Sequence, residues 1–410
     1  MGLKLYFSIF AAVFTTLAQA AEATFSLDEV TRVALANNLD LKAAELRIAE
    51  AKARMDQAGR LPNPELETGV EPNLRGREYA VRVGFTQKFP VTARLRLEKE
   101  VSRLHLLAAR AELQTQKRNL ASEALAAGVQ VAALSERLAV QEMHLATARQ
   151  LASLAGEAAR VGEAPQAEAS QFALVASQAE LHLLHIKGAY EEARKRLATV
   201  MSLRGGDSAT ILGNLPPTQG MPQDAPAPEA LLEGARQRAR AAAVGIQMAR
   251  TERWQDVSVG VFAGVEERED RPAGIQQEQS AGLVVSIPLP LWSRDKERLR
   301  EAEAAAARAQ KEMEALELRT QAEAGLALSQ MKRAAQAAEM LTEKALPKAR
   351  EAEAHVRLLQ KEGQASHADV LRAHERLLDL ETAEIDARRD YHVARAQLLK
   401  FTGSVPGGLQ

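Results

Sequence analysis

The residues of this chain with the clearest potential for chemistry are two histidine pairs. His182 and His185 lie three residues apart in a helical pattern, and His367 and His374 lie seven apart beside a predicted turn. Imidazole nitrogens at helical spacing can bind Zn²⁺ and related ions. A metal site needs further ligands, and neither pair is completed by a cluster of histidine and carboxylate in the sequence. Because isolated pairs on polar helix faces are weak signals, we predict no metal site.

Other catalytic signatures are missing from the sequence. There is no glycine loop for phosphates, no HExxH zinc motif and no nucleophile elbow. The many glutamates alternate with lysine and arginine at helical spacing, which is typical of solvated helix faces. We therefore predict that the protein is not an enzyme, with no catalytic residues and no cofactor.

Composition narrows the class of protein further. The chain of 410 residues contains no cysteine, which excludes disulfides, cysteine nucleophiles and a lipid-modified N-terminal cysteine. Its 53 basic and 54 acidic residues leave a net charge of −1, so charge does not favour nucleic-acid binding. Aromatic residues make up only 4% of a chain rich in alanine, a composition that suits thin, closely packed helices.

The N-terminus has the pattern of a signal peptide over residues 1–20. Lys4 precedes an apolar run over residues 5–17, and Ala18-Gln19-Ala20 has the small-x-small form of a cleavage site. The apolar run is too short for a spanning helix, which needs about 20 residues. We expect cleavage after Ala20 and export. No later stretch is long and apolar enough to span a membrane as a helix, so a membrane span would have to be made of strands.

Two stretches depart from the helical pattern and alternate apolar and polar residues, as strands do. The first is a strand pair over 65–89, and the second is a strand pair over 257–287. Long helical patterns surround them: 27–59, 92–162, 166–203, 229–254, 294–362 with an interruption only at Pro347, and 364–401. Capping residues Ser26 and Glu29 open the first of these helices.

The order of these elements repeats. Ile287-Pro288 follows Phe89-Pro90 by 198 residues, and Gly363 follows Gly162 by 201. We predict a tandem duplication of helix, strand pair and long helical hairpin. The predicted divisions are a first repeat over 21–203 with its tip near 162, a linker or equatorial segment over 204–228, a second repeat over 229–403 with its tip near 363, and a tail over 404–410.

Four amphipathic strands cannot close a membrane barrel, which needs about eight. An open sheet edge is not tolerated in lipid, so a membrane-spanning sheet would require assembly with further copies of the chain. The alternative is a water-soluble sheet packed on the helices. Aromatic residues cluster in or beside the strands, which favours the membrane interpretation: Tyr79, Phe85, Phe89, Trp254, Phe262 and Trp292.

The mature sequence resembles the TolC-like outer-membrane efflux protein family. The resemblance rests on the signal peptide, the duplicated plan, the strand entry Leu61-Pro62-Asn63-Pro64-Glu65-Leu66 and two turn motifs. The turn motifs are Arg160-Val161-Gly162-Glu163-Ala164 and residues 362–371, which read EGQASHADVL. The short chain, the cysteine-free N-terminus and the Pro-Asn-Pro entry are most similar to the heavy-metal cation efflux (CzcC-like) branch.

This resemblance implies a mainly α fold with a transmembrane β portion. Tandem-duplicated helical hairpins would form an α-helical barrel, and four strands per chain would contribute to a shared 12-stranded trimeric β-barrel. The implied partners of the homotrimer are a periplasmic adaptor (membrane fusion) protein, an inner-membrane pump of the RND type and outer-membrane lipid, with no nucleic acid. The protein would lie in the bacterial outer membrane and extend into the periplasm.

The implied function is a passive conduit from periplasm to exterior in a tripartite efflux system, with heavy-metal cations as the expected substrate. Multidrug efflux and type I secretion channels are alternatives within the family. A periplasmic coiled-coil adaptor or scaffold is the alternative from another class. An adaptor usually carries one helical hairpin between compact β domains, whereas this chain carries two hairpins, each preceded by a strand pair.

The family also implies roles for particular residues. The tip candidates for adaptor docking are Gly162, Glu163, Gly363, Gln364 and Ser366. Asp369 matches a pore-facing acid, and Glu168 is its counterpart in the first repeat; a ring of such carboxylates would favour cations. Arg372 stands where a second aspartate is expected, so an Asp369–Arg372 ion pair is an alternative to a doubly acidic gate. Without the resemblance, Asp369 is a solvated acid offsetting a helix dipole.

The strand alternation predicts orientations as well. Tyr79, Val81, Val83 and Phe85 are predicted to face lipid. Glu67, Arg82 and Lys88 are predicted to face water.

Overall fold

The computed structural model describes residues 23–72, 79–203, 208–220, 222–252, 254–270, 274–289 and 296–402. The predicted signal peptide, the tail over 404–410, Trp292 and the turn residues 73–76 lie outside the described residues. In chain order the elements are β1 (Ala23–Phe25), α1 (Leu27–Asn37), α2 (Leu39–Gln57), β2 (Glu65–Pro72), β3 (Tyr79–Phe89), α3 (Arg94–Arg160), α4 (Gln166–Val200), β4 (Ala209–Ile211), α5 (Glu229–Thr251), β5 (Val257–Asp270), β6 (Gly274–Ser286), α6 (Lys296–Met340), α7 (Leu346–Lys361) and α8 (His367–Leu399).

Helix α3 is the central rod of the molecule. Its 67 residues span about 100 Å at 1.5 Å per residue. A helix of this length is stable only with lateral partners, and α3 packs against α1, α2, α4, α5 and α8. Its buried positions are mostly alanine and leucine, as the alanine-rich composition predicts for closely packed helices. In the part of the chain that the structure describes, no helix combines the length and apolar character needed to cross a membrane.

The predicted helix over 27–59 is wrong in one respect, because it is two helices. The capping box at its start is confirmed: Ser26 Oγ accepts from the Glu29 N–H at 3.3 Å, and the Glu29 carboxylate accepts from the Ser26 N–H at 2.9 Å. The break falls at Asn38, whose ψ of 124° is extended. Its side chain accepts a hydrogen bond from the Leu41 N–H at 3.0 Å and so caps α2, a role for which asparagine is well suited.

The predicted helix over 294–362 also differs in detail. A π-helical turn over Leu341–Ala345 separates α6 from α7, and Pro347 occupies the first turn of α7. Proline has no N–H, and its ring collides with the carbonyl four residues earlier in a regular α-helix. The widened turn in front of Pro347 relieves that conflict. The sequence therefore predicted that the long helix is interrupted at Pro347. The structure shows that the interruption is a π turn just before this proline.

The two predicted strand pairs form one antiparallel sheet with the order β2-β3-β5-β6. Each repeat supplies a hairpin, and β3 pairs with β5 to join the hairpins. Within the register, Phe85 lies opposite Leu66 and Val261, and Val261 lies opposite Leu283. Because paired residues share a face, the predicted separation of apolar and polar faces is confirmed.

The polar face of the sheet has its own contacts. Lys88 pairs with Glu65 at 2.5 Å, and the Arg82 guanidinium lies 5.2 Å from the centre of the Phe262 ring. Glu67 and Arg82 lie on the same face as Lys88, as predicted. The Phe262 ring extends over Gly282, where a Cβ atom would approach the ring to 2.6 Å. Phe262 lies opposite Gly84 on one side and Gly282 on the other, so its ring covers part of the polar face.

The main core lies where α1, α3, α4, β4 and α8 meet. Strand β4 falls in the segment predicted as a linker and pairs in parallel with β1, with Ala23 opposite Ala209. The sequence analysis did not predict this two-stranded sheet, since each strand is only three residues long. The buried residues of this core are Val30, Ala34, Ala124, Val129, Val131, Ala132, Ala133, Leu197, Ala198, Met201, Ala209, Ile211, Leu215 and Ile385.

Side chains of α8 hold the segment that follows β4. Arg388 donates to the Leu215 carbonyl at 2.9 Å and pairs with Glu136 of α3 at 2.6 Å. The buried Tyr391 hydroxyl donates to the Gln219 carbonyl at 2.5 Å. Several carbonyl groups of this irregular segment are thereby satisfied, which its burial against the bundle requires.

Candidate functional site

Both helical hairpins turn in the same way at one end of the bundle. Gly162 and Gly363 have φ of +81° and +74°, a left-handed conformation that glycine adopts without a Cβ penalty. The Glu163 N–H donates to the Ala158 carbonyl at 2.9 Å, and the Gln364 N–H donates to the Leu359 carbonyl at 2.8 Å. These are Schellman-type helix ends. The two related sequence motifs thus specify one backbone turn.

The turns are held side by side by a hydrophobic cluster. This cluster joins α3, α4 and α8 and consists of the buried residues Leu151, Ala155, Ala169, Phe172, Val370 and Leu371. Glu168 and Asp369 immediately precede two of its members, and each occupies the third position of its helix. The structure therefore brings the two predicted acidic positions to the same end of the bundle, at equivalent places in the two repeats.

Asp369 completes a capping box with Ser366. The Ser366 Oγ accepts from the Asp369 N–H at 3.2 Å, and the Asp369 carboxylate accepts from the Ser366 N–H at 3.0 Å and from the Ser366 hydroxyl at 2.7 Å. These bonds lower the pKa of the Asp369 carboxyl, and Arg372 lowers that pKa further. Asp369 is consequently a carboxylate near neutral pH, and it offsets the dipole at the start of α8.

The Asp369–Arg372 ion pair that the sequence analysis offered as an alternative is present. The Arg372 guanidinium lies 3.3 Å from the Asp369 carboxylate, and the arginine side chain is 75% exposed. An exposed pair of this kind holds its partners weakly, so Arg372 can swing away from Asp369. In the first repeat, Glu168 makes no such ion pair among the described residues. The N-cap of its helix is Pro165, which makes no side-chain capping hydrogen bond.

The remaining tip residues predicted for docking are open to solvent. Glu163, Gln364 and Ser366 are exposed, and a Cβ atom at Gly162 or Gly363 would meet nothing within 4 Å. Apolar Val161 is also 61% exposed beside the first turn. The tips thus present a surface that combines polar groups, backbone and a small apolar side chain.

The strand residues predicted to face lipid lie on one exposed face. Tyr79, Val81, Val83 and Phe85 are all exposed, and Phe85 is 55% exposed. The neighbouring strands add further exposed apolar side chains to this face, including Leu66, Val261, Leu283 and Val285. Both outer strands, β2 and β6, have an unpaired edge in the single chain.

The histidine pairs do not assemble metal sites in the described residues. His367 Nε2 lies 3.2 Å from the Gln360 side-chain nitrogen, and His374 Nδ1 lies 2.8 Å from the Glu353 carboxylate. Among the residues described, no group of three or more histidine, cysteine, aspartate or glutamate side chains is arranged to hold a metal ion. His182 and His185 are exposed on α4.

One histidine contact was missed by sequence reasoning. The rings of His144 and His374 are stacked, with centres 5.2 Å apart and planes 15° from parallel. His144 is only 7% exposed, and its Nδ1 atom has no hydrogen-bond partner. Burial lowers the pKa of His144, and His374 and His182 lower it further, whereas Asp379 opposes them. These residues are distant in sequence, so only the packing of α3 on α8 reveals the contact.

The fold and the tips together define a class: a duplicated chain in which each repeat joins an amphipathic strand hairpin to a long helical hairpin. The chain belongs to the family described as outer membrane efflux protein, which matches residues 30–202 and 221–404. The predicted membership of the TolC-like family is thereby confirmed. The protein is therefore an outer-membrane protein of this efflux family.

Individual relatives can be named. The chain is 25% identical over 270 residues to the pyoverdine export outer membrane protein OpmQ of Pseudomonas putida; the match covers 60% of this chain and 57% of that relative. Among solved structures, VceC of Vibrio cholerae matches with a TM-score of 0.73 at 19% identity, covering 93% of this chain and 96% of VceC. The CmeC channel of Campylobacter jejuni matches with a TM-score of 0.75 at 15% identity, covering 93% and 85%. These structural matches show the shared fold.

Proposed function

We propose that this protein is the outer-membrane channel of a tripartite efflux system for heavy-metal cations. In this proposal three copies form one passive conduit from the periplasm to the exterior. Energy comes from an inner-membrane pump of the RND type, and a periplasmic adaptor connects the pump to the channel. The observation that carries the proposal is the four-stranded sheet, which is apolar on one exposed face and open at both edges.

An uncovered apolar face and two unpaired edges are unfavourable in water. Side chains such as Leu66, Phe85 and Leu283 would each favour burial in lipid or against another chain. Pairing β2 of one copy with β6 of the next would satisfy both edges at once. Three copies would supply twelve strands, enough for a closed barrel that lipid tolerates, whereas four strands are too few.

The tips are the proposed site of adaptor docking and of the pore entrance. Gly162, Glu163, Gly363, Gln364 and Ser366 form the proposed docking surface, which their exposure supports. Asp369 and Glu168 are the proposed pore-lining acids. Three copies of each would gather carboxylates at the entrance of the conduit, where they would raise the local concentration of cations. Arg372 would modulate this charge because it pairs with Asp369 in the single chain.

Cations are the preferred substrate because of these acids and the similarity of the strand entry to the heavy-metal branch. Export of an organic molecule is the second candidate, since the relative OpmQ is named for pyoverdine export. The two candidates predict different phenotypes. A deletion strain should lose tolerance of Co²⁺, Zn²⁺ or Cd²⁺ if metal ions are the substrate, and the cloned gene should restore it. Unchanged metal tolerance together with reduced export of a siderophore would favour the second candidate.

The channel itself can be tested separately from its substrate. Membranes carrying the protein should release it into detergent, and neither salt nor carbonate should extract it. Release by carbonate alone would contradict a membrane channel and would favour a periplasmic adaptor or scaffold. Purified protein should form trimers in detergent, which light scattering can measure.

A further inference from the structure

The polar face of the sheet carries a single aromatic side chain among the described residues. Tyr79, Phe85 and Phe89 lie on the apolar face, with Phe85 opposite Val261 in the register. Phe262 is the next residue along β5, and successive strand residues point to opposite faces, so its ring lies on the polar face. The ring is half-buried there. Contact with lipid, which the other face would provide, does not explain its position.

The Phe262 ring is seated closely against the backbone of the neighbouring strands. Gly84 on β3 and Gly282 on β6 lie opposite Phe262. A Cβ atom at Gly282 would lie 2.6 Å from Cζ and 2.7 Å from Cε1 of the ring, and one at Gly84 would lie 3.2 Å from the Phe262 Cβ atom. The ring can lie this close to β6 only because Gly282 has no side chain. A side chain at Gly282 would therefore push the ring away from the sheet.

Arg82 holds the ring from the side of β3. Its guanidinium carbon lies 5.2 Å from the centre of the Phe262 ring, within the range of a cation–π contact. Glu67, Glu71 and Glu266 are diagonal neighbours of Arg82 on the adjoining strands, close enough for long side chains to meet. Among the described residues Arg82 nevertheless makes no ion pair with them and lies on the ring instead. The arginine and the ring therefore form one unit on the polar face.

In the proposed trimer, the polar face would line the lumen of the barrel. Three-fold symmetry would place the three copies of Phe262 at one level along the axis. About eight strands enclose an interior that side chains fill, and about sixteen leave a wide channel, so the lining side chains decide the width of a twelve-stranded barrel. The row of paired residues that contains Phe262 also holds Glu67, Gly84 and Gly282. Phe262 is thus the bulkiest side chain of its row.

We propose that Phe262 sets the width of the barrel lumen, with Arg82 holding the ring in place. The inference rests on the proposed function, because it requires the polar face to line a conduit. It deepens that function by naming a residue that limits the size of the solute that leaves the cell. Three rings at one level would admit a small hydrated cation more readily than a bulky organic molecule.

The test is cysteine labelling from outside intact cells, since the natural chain contains no cysteine. Ser258→Cys lies on the polar face of β5, four residues from Phe262 and about 13 Å closer to the helices at 3.3 Å per residue. A reagent added outside must pass Phe262 to reach this cysteine. Fluorescein maleimide, a bulky thiol reagent, should label it slowly. Phe262→Ala should speed the labelling by about an order of magnitude, because the lumen becomes wider.

Matched variants separate the seat of the ring from general effects. Gly282→Ala should slow the labelling of Ser258→Cys, because the added methyl group displaces the ring into the lumen. Gly69→Ala adds the same group to the polar face where nothing lies within 4 Å, and labelling should be unchanged. Gln276→Cys lies beyond Phe262 on the side away from the helices, so Phe262→Ala should not change its labelling. The amount of trimer in the membrane shows that each variant has assembled, and Phe262→Ala decides the question if Gly282→Ala does not assemble.

Two results would overturn the inference: equal labelling of Ser258→Cys with and without Phe262→Ala, or an equal increase at Gln276→Cys. A small thiol reagent, methanethiosulfonate ethylammonium, separates this outcome from that of the proposed function. If the small reagent reaches Ser258→Cys but Phe262→Ala does not change labelling by the bulky one, the inference alone fails. If the small reagent does not reach Ser258→Cys in any variant, the polar face lines no conduit, and the proposed function fails together with the inference.

Discussion

At the scale of single residues, Asp369 combines a capping role that the structure shows with a proposed role at the pore entrance. Its carboxylate accepts hydrogen bonds from Ser366 and so caps α8, and its charge lies at the proposed entrance of the conduit. The sequence alone offered two alternatives for Asp369: a pore-facing acid, and a solvated acid that offsets the helix dipole. The structure adds that the capping geometry is present, and the gating role remains a proposal because it depends on where the other copies lie.

Replacement of Asp369 separates these roles. Asp369→Ala should lower the preference for cations in single-channel recordings from planar bilayers, since it removes a charge from each copy at the entrance. Ser366→Ala is the matched control, because it breaks the same capping box and keeps the carboxylate. If both variants change selectivity equally, or if neither does, Asp369 has no place in the pore.

Buried histidines are the second feature at this scale. His392 Nε2 lies 2.8 Å from the Pro216 carbonyl, and burial lowers the pKa of His392, although that hydrogen bond opposes the shift. The pKa of His144 is also lowered by burial. Both side chains are therefore held neutral in the folded chain, whereas the unfolded chain protonates them near the ordinary pKa of about 6.5.

Stability should consequently fall on acidification. Below about pH 6.5 the unfolded chain binds more protons at these histidines than the folded chain, so the free energy of unfolding decreases as pH falls toward the lowered pKa values. Thermal unfolding in detergent from about pH 8 to about pH 5 measures this. His392→Gln, which can still donate to the Pro216 carbonyl, should reduce the slope. An unchanged slope in this variant would remove His392 from the explanation.

At the scale of elements, the strands were the most predictable part of the chain. Alternation assigns side chains such as Val83 and Arg82 to opposite faces, because successive residues of a strand point in opposite directions. The pairing of β3 with β5 was not predictable in this way. It joins residues far apart in sequence, and the alternation pattern is compatible with several strand orders.

A pair of substitutions on opposite faces of β3 tests which face meets lipid. Val83→Lys should reduce the yield of membrane-inserted protein, because a lysine on the lipid face costs about 2–4 kcal/mol near the middle of the bilayer. Thr86→Lys introduces the same side chain on the polar face, near Glu65 and Lys88, and should insert normally. Equal insertion of the two variants, or a defect confined to Thr86→Lys, would contradict the assignment of the faces. The measurement is the detergent-extractable fraction of outer membranes.

At the scale of the whole molecule, the single chain leaves the apolar face of its sheet exposed. The core where α1, α3, α4, β4 and α8 meet is enclosed, whereas the sheet exposes Phe85, Val261 and Leu283. A chain that buries one region and exposes another in this way is a part of a larger assembly or of a membrane. The proposed trimer in a membrane would account for this exposure, because neighbouring copies would complete the sheet and lipid would cover its apolar face.

Cysteine crosslinking can test the proposed contact between copies, since the natural chain contains no cysteine. Leu66→Cys on β2 is combined in turn with Ala281→Cys, Leu283→Cys or Val285→Cys on β6. At least one combination should give disulfide-linked trimers in intact membranes, and Leu66→Cys alone should not. Linked dimers without trimers, or no product from any combination, would contradict pairing of β2 with β6 in a closed ring of three.

The sequence alone determined the local features of this protein: the repeat, the strand faces, the glycine turns at Gly162 and Gly363 and the capping box of Ser26 and Glu29. Each depends on contacts between residues close along the chain or on a short period of apolar residues. The tertiary structure decided what depends on distant segments meeting in space. It divided the first helix at Asn38, paired β1 with β4 and placed His144 beside His374. Such contacts arise from the packing of helices α3, α4 and α8, and the local pattern of each helix permits many packings.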